Sequence, residues 1–134
     1  MSDAIRRAHI RIVCDIPAAI FLGVSVGRKL GEGRFLDISL SGAYIEFVGE
    51  LQQGTTYRAG FQSSEGPLEL PCRVVREGPR GNTKIPGAKR YGLLFTLSAD
   101  QEKQLRRFLD FLMRQPSTDK ETRLDRSLRD YWSS

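Results

Sequence analysis

The sequence predicts a mainly β protein, a six-stranded antiparallel β-barrel followed by a C-terminal α-helix and an additional short C-terminal helix. Three observations support this fold class. The 134 residues suit one domain with a core of its own. Between residues 18 and 97, short apolar segments are separated by glycine, proline and serine, as in strands joined by turns. After residue 97, apolar side chains recur every three or four positions, as in helices.

Six strands are predicted, at residues 18–26, 34–39, 43–48, 56–62, 68–77 and 90–97. Gly31-Glu32-Gly33 is interpreted as the turn between the first two. In the third strand Ala43, Ile45 and Phe47 occupy alternate positions, which is typical of a strand with one buried face.

Two helices follow the strands. Ser98 and Gln101 form a capping box that starts the first one, and its apolar stripe should cover an open end or flank of the barrel; the stripe comprises Leu105, Phe108, Leu109, Leu112 and Met113. Thr118 and Glu121 repeat the capping box after Pro116. The second stripe would either dock on the barrel or contact a partner or a second copy; it comprises Leu124, Leu128, Tyr131 and Trp132.

The chain therefore divides into three predicted parts. Residues 1–12 form a flexible N-terminal arm, because they combine three arginines with few apolar anchors. Residues 13–115 form the barrel and its helix, and residues 116–134 form the extra helix.

Composition narrows the class of protein. The net charge is +5, and residues 73–90 contain six basic side chains and one acidic one, which favours an anionic partner. The longest apolar stretch, residues 16–26, is too short and interrupted to span a membrane, and no secretory signal is recognisable. Cys14 and Cys72 stand apart and the chain has one histidine, so we expect buried thiols in a cytoplasmic protein, without a metal.

Two short polar motifs carry the functional signal. Arg7 and Arg11 form an R-x-x-x-R, and the run from Asp37 through Ser39 to Gly42 forms a D-x-S-x-x-G. An arginine fork donates two parallel hydrogen bonds to a phosphate or to the O6 and N7 atoms of guanine. The second motif adds a carboxylate, a hydroxyl and an open backbone at a turn. Either motif alone is weak, since basic arms and Asp-Ser-Gly turns are common.

In this order and spacing the two motifs resemble the PilZ domain family, over about residues 5–114. The resemblance includes the strand of Tyr91-Gly92-Leu93-Leu94-Phe95 and the helix capped by Ser98. It implies a receptor for the bacterial second messenger cyclic di-GMP. The resemblance assigns the arginine roles of the family to Arg7 and Arg11. It assigns the roles of the barrel motif to Asp37, Ser39 and Gly42.

Further contacts are expected around this set. Arg6, just before the first motif, would pair with or stack on a second ligand molecule, and Ser41 would add a polar contact. Some family members stack a guanine on an aromatic side chain from a later strand. The stretch from Arg73 to Arg76 has no ring, so one of these two arginines would stack by its guanidinium group instead.

The functional prediction is a cyclic di-GMP receptor that changes conformation on binding and signals to an unidentified protein partner, in motility, biofilm or exopolysaccharide control. No cofactor is expected, and no enzyme, because the sequence has no nucleophile motif and no plausible carboxylate pair. A monomer or weak dimer is expected. Two alternatives stay open, a PilZ-like adaptor that binds no ligand and a small basic barrel that binds nucleic acid. The lack of an aromatic stacking pair on the predicted strands argues against the second.

Overall fold

A computed structural model describes residues 10–23, 27–79 and 81–115. It confirms the predicted six-stranded antiparallel barrel with a C-terminal helix. The elements are β1 (Ile12–Leu22), β2 (Lys29–Ile38), β3 (Gly42–Phe47), β4 (Thr56–Ser63), β5 (Gly66–Glu77), β6 (Lys89–Phe95) and α1 (Ala99–Arg114).

The strands close into a barrel in the order β1-β2-β3-β6-β5-β4, and every neighbouring pair is antiparallel. The β1–β4 pairing completes the circle, with Ala18 opposite Phe61 and Leu22 opposite Tyr57. Closure satisfies the backbone hydrogen bonds that an open sheet would expose at its edges. The outer face of β2, β3, β6 and β5 is therefore one continuous surface.

The prediction for the first strand was wrong in position. β1 spans Ile12–Leu22 rather than residues 18–26, and Gly31-Glu32-Gly33 lies inside β2 rather than in a turn. Pro17 made the earlier residues look unlike a strand, because proline donates no backbone hydrogen bond. The stretch before Ala18 pairs with β2 alone, however, and such one-sided pairing tolerates a proline.

Glycine at positions 31 and 33 also has a packing reason. A Cβ at Gly33 would clash with the carbonyl oxygen of Glu46, and one at Gly31 would lie 3.0 Å from the Phe47 ring. These glycines let β2 approach β3 closely, so they mark strand packing and not chain reversal.

The core fills the barrel and continues under α1. Phe35, Phe61 and Phe108 link strands to helix, with ring centroids 5.3 Å and 5.5 Å apart. The capping box begins α1 as predicted: Ser98 Oγ accepts from the Gln101 backbone N–H at 3.2 Å, and Gln101 Oε1 accepts from the Ser98 N–H at 2.9 Å. The helix therefore covers one end of the barrel.

The predicted apolar stripe of α1 is correct except at its end. Leu105 and Phe108 are buried and Leu109 and Leu112 are partly buried, whereas Met113 is 62% exposed. The predicted second helix and most of the N-terminal arm lie outside the described residues. Among the residues that are described, no helix is long and apolar enough to cross a membrane.

Candidate functional site

A row of side chains crosses the outer face of four neighbouring strands. Asp37 of β2 lies opposite Tyr44 of β3, Tyr44 lies opposite Gly92 of β6, and Gly92 lies opposite Arg76 of β5. Paired residues in adjacent strands point to the same face. The fold thus gathers an acid, an aromatic ring and an arginine that are far apart in sequence.

Two irregularities in the ladder shape this row. The register shifts between Phe35 and Asp37 and again between Val74 and Arg76, so Leu36 and Val75 are extra residues in their strands. Such bulges twist a strand and re-aim the side chains beside them. A bulge therefore lies beside each end of the row, at Leu36 and at Val75. The regular two-residue alternation of a strand does not predict these bulges.

Arg11 joins the two sequence motifs. Its Nη1 atom lies 2.8 Å from Oδ1 of Asp37, and the arginine side chain is 51% exposed whereas that of Asp37 is 4% exposed. The acid is thus held by the barrel, and the arginine reaches it from outside. A half-exposed guanidinium group can turn toward a ligand when that ligand supplies donors to the buried carboxylate in its place.

Burial raises the pKa of Asp37 above its ordinary value. The Arg11 guanidinium, the Tyr44 backbone N–H and the charge of Arg76 oppose this rise without cancelling it. An acid in this position is costly to ionise until further donors reach it. Its environment therefore suits a carboxylate that accepts hydrogen bonds from a bound group.

The Ser39 hydroxyl stabilises the turn between β2 and β3. The side chain is buried, and its Oγ atom accepts from the backbone N–H groups of Ser41 at 3.3 Å and Gly42 at 3.2 Å. It also lies 3.1 Å from the Ser41 hydroxyl and 3.2 Å from the Gly42 carbonyl oxygen, to which it donates. Ser41 is partly exposed, whereas Ser39 is buried.

Gly42 is required by the barrel itself. A Cβ at this position would clash with the carbonyl oxygen of Leu93 on β6. The Ser41 carbonyl oxygen also accepts from the Phe95 N–H at 2.9 Å, which ties the turn to the same strand. The motif glycine therefore allows β3 and β6 to approach, in addition to any role in admitting a ligand.

Arg73 and Arg76 both lie exposed on this outer face, one row apart. Arg73 pairs with Leu94, which in turn pairs with Gly42. Arg76 lies in the same row as Asp37, with its guanidinium carbon 5.7 Å from the centre of the Tyr44 ring. The structure therefore distinguishes the two arginines between which the sequence did not decide: only Arg76 shares a row with Asp37.

Within the basic segment of residues 73–90, two of the basic side chains are already paired with acids. Arg90 bonds through Nε to Glu46 Oε2 at 3.2 Å, and Lys89 forms ion pairs with Glu50 and Glu77. The Glu46 carboxylate, 1% exposed, also accepts from the backbone N–H groups of Lys84 at 3.0 Å and Ile85 at 3.2 Å. Glu46 therefore holds the loop at Lys84 and Ile85 against the outer face and pairs with the charge of Arg90.

The structure brings together Arg11, Asp37, Ser39, Ser41 and Gly42, while Arg6 and Arg7 lie outside the described residues. Sequence reasoning missed Tyr44, Gly92 and Glu46. The alternation in β3 already placed Tyr44 and Glu46 on the face opposite the core. Their partners on β6 could not be known without the strand order.

Within the described part of the chain, no three potential metal ligands lie close enough to hold an ion. Cys14 and Cys72 are free thiols, and burial raises the pKa of each to about 12. Thiols with such a pKa are poor nucleophiles at neutral pH.

A six-stranded closed barrel with a helix over one end, bearing an acid and arginines on its outer face, defines the class of small β-barrel binding domains. Residues 5–111 match the PilZ domain profile, and the chain belongs to the PilZ domain family. No curated protein sequence matches significantly.

Solved structures share this fold. The PilZ domain of CeSA from a cellulose-synthesizing bacterium is 23% identical, with a TM-score of 0.56 over 76% of this chain and 97% of that one. YcgR from Escherichia coli in complex with c-di-GMP is 22% identical, with a TM-score of 0.62 over 90% of this chain and 50% of that one. The PilZ domain of YcgR with c-di-GMP is 18% identical, with a TM-score of 0.59 over 96% and 98% of the two chains.

Proposed function

We propose that this protein binds cyclic di-GMP on the outer face of the barrel, at the turn between β2 and β3. The observation that carries the proposal is the Arg11–Asp37 ion pair, which joins the two family motifs at 2.8 Å. Solved YcgR structures of the same fold hold c-di-GMP, which supports the choice of ligand.

Each motif residue has a chemical role in this proposal. Asp37 accepts from the N1–H and N2–H₂ groups of a guanine, which are the donors its buried carboxylate needs. Arg7 and Arg11 donate to guanine or phosphate, and Arg6 serves a second ligand molecule. Ser39 acts by holding the turn, the partly exposed Ser41 makes a direct polar contact, and the missing side chain at Gly42 lets the ligand approach the turn closely.

The protein works as a receptor and not as an enzyme in this proposal. Binding draws the arm that precedes β1 across the barrel face, because a dianionic ligand attracts its arginines. The changed face is then recognised by a protein partner that acts in motility, biofilm formation or exopolysaccharide control. The loop 78–88 favours this over nucleic-acid binding, since Glu46, Glu50 and Glu77 already pair with its flanking cations.

A calorimetric titration of the full chain with cyclic di-GMP tests the proposal, with cyclic di-AMP, GTP and a short single-stranded oligonucleotide as comparisons. We expect saturable binding of cyclic di-GMP and clearly weaker binding of the other three. Equal affinity for both cyclic dinucleotides would exclude base reading by Asp37. Binding of the oligonucleotide alone would overturn the proposal in favour of a nucleic-acid module.

A further inference from the structure

A groove of about 880 Å³ lies on the outer face of β1 and its neighbouring strands. It exists because the side chains on its floor are small: Ala19 of β1 lies between Gly60 of β4 and Glu32 of β2. The residues that line the groove belong neither to the row that contains Asp37 nor to the two sequence motifs. The groove is therefore a surface separate from the proposed ligand site.

The groove is apolar on the side of β3, and this side is held in place. Val48, directly after β3, is 47% exposed, and Ile85 of the loop between β5 and β6 lies beside it in the groove lining. The Ile85 N–H donates to Glu46 Oε1 at 3.2 Å, and its carbonyl oxygen accepts from the Thr83 hydroxyl at 2.9 Å and from the Ala88 N–H at 3.1 Å. This preformed apolar surface would gain free energy from being covered.

The charged side chains that line the groove already have partners. Lys29 bonds to Glu32 at 2.6 Å, and Arg34 pairs with Asp15. The groove is thus bordered by neutral pairs, although the whole chain has a net charge of +5. Neutral pairs attract neither an anionic nor a cationic partner, and they suit an occupant whose own charges balance.

The C-terminal segment, residues 116–134, has this property. It contains four basic and four acidic side chains, and the apolar stripe of its predicted helix comprises Leu124, Leu128, Tyr131 and Trp132. As a helix the stripe would be about 12 Å long, at 1.5 Å for each residue. It would therefore fit within the roughly 17 Å that β2 covers between Lys29 and Arg34 of the groove.

The path of α1 brings this segment near the groove. α1 lies against β1, and Arg107, midway along it, bonds to Glu65 at 3.0 Å. Glu65 is three residues after Gln62, which lines the end of the groove nearest to α1. Residues 115–123 join α1 to the stripe, and nine residues can span up to roughly 30 Å. The stripe can therefore reach the groove of its own molecule.

We propose that the C-terminal segment folds back onto the barrel and packs its apolar stripe into this groove, against Ala19, Val48 and Ile85. The occupant is the chain itself, because the segment combines an apolar stripe, balanced charges and sufficient reach. The proposal does not depend on cyclic di-GMP, since the docked segment leaves both ligand motifs uncovered.

Trp132 provides the test, because it is the only tryptophan of the chain and its fluorescence reports on the segment alone. In the folded full chain it should emit at shorter wavelength, and be quenched more slowly by acrylamide, than in the urea-unfolded chain. Val48→Ser should shift the docking equilibrium about three- to tenfold toward the free segment, because it removes apolar surface from the groove. Ala19→Gln should act in the same direction by filling the floor.

Val75→Ser is the matched control. Val75 is 49% exposed, much as Val48 is, but it lies on β5 outside the groove, so Trp132 should be unaffected. Melting curves establish that each variant folds. Because Val48 is an exposed side chain, Val48→Ser keeps the test available if Ala19→Gln unfolds.

Three results would overturn the inference. Trp132 would be as open to acrylamide in the folded chain as in the unfolded one, or it would stay protected in both groove variants, as it would if the segment docked elsewhere. Protection that appears only at higher protein concentration would assign the groove to the segment of a second copy. Cyclic di-GMP affinity should stay within about twofold of wild type in both groove variants, so this proposal and the ligand proposal fail independently.

Discussion

Asp37 is a buried acid in an environment that disfavours its ionised form. Its side chain is 4% exposed, and burial raises its pKa although Arg11 lies 2.8 Å away. Because the pKa is higher in the folded than in the unfolded chain, ionisation of Asp37 costs stability. That cost is absent at pH values below the unfolded value of about 3.9 and appears as the pH rises through the folded pKa.

Asp37→Asn should therefore separate binding from stability. At pH 7 the variant should unfold at the same or a higher temperature than wild type, and the difference should shrink toward pH 3. Binding should fall sharply, because the amide places a donor against the guanine N–H groups. Thermal melts from pH 3 to 7 and a titration at pH 7 check both parts. A variant much less stable than wild type at pH 7 would show that the acid serves the fold.

The arginines of the first motif should govern the affinity for the ligand. Arg7→Ala or Arg11→Ala should each weaken cyclic di-GMP binding roughly ten- to a hundredfold, since each removes about 1.5–3 kcal/mol of charge-assisted hydrogen bonding. Arg11 also offsets the buried charge of Asp37, so Arg11→Ala should lower the melting temperature at pH 7, and this difference should shrink toward pH 3, where Asp37 is protonated. Arg106→Ala is the matched control, because Arg106 is an exposed arginine paired with Glu102 on α1. Unchanged affinity in both motif variants would contradict the proposed site.

At the scale of elements, β3 and β6 are joined through a glycine that belongs to the ligand motif. Gly42→Ala should lower the free energy of unfolding by about 3 kcal/mol, because its Cβ would meet the Leu93 carbonyl oxygen and force backbone to move. Gly92→Ala is the comparison, since its Cβ meets only a flexible side chain. Urea unfolding measures both. Equal stability of the two variants would indicate that Gly42 serves the ligand rather than the barrel.

The Glu46 carboxylate anchors the loop between β5 and β6 at Lys84 and Ile85. Glu46→Gln should cost about 2–3 kcal/mol, because the amide replaces charge-assisted bonds and turns a donor toward the N–H groups of Lys84 and Ile85. Amide exchange at these two residues should quicken more than elsewhere in the barrel. Glu102→Gln, an exposed acid on α1, should change neither quantity appreciably. Unchanged exchange at Lys84 in the Glu46 variant would show that the loop is held otherwise.

At the scale of the whole molecule, we expect the closed barrel to keep its structure on binding while the N-terminal arm moves onto it. Amide exchange with and without cyclic di-GMP should show protection rising most at residues 5–12 and 37–42. The strands Thr56–Ser63 and Lys89–Phe95 should change little, because their backbone hydrogen bonds are complete before the ligand arrives. An arm fully protected without ligand would exclude the proposed closure.

The sequence predicted much of this molecule because much of it is encoded locally. Alternation of Ala43, Ile45 and Phe47 fixed the buried face of β3, and the Ser98–Gln101 capping box fixed the start of α1. The first strand was misplaced because Pro17 and the glycines of β2 read as breaks. A strand's limits depend on which neighbour pairs with it, and that neighbour is remote in the chain.

By itself the sequence determined the number of strands, the terminal helix and the two motifs, since periodicity, capping and spacing are properties of neighbouring residues. Only the tertiary structure decided which residues share a face. Asp37, Tyr44, Gly92 and Arg76 come from four strands and meet through the order β2-β3-β6-β5 and two bulges. Register and strand order follow from closing the barrel around its core, and no local pattern contains that information.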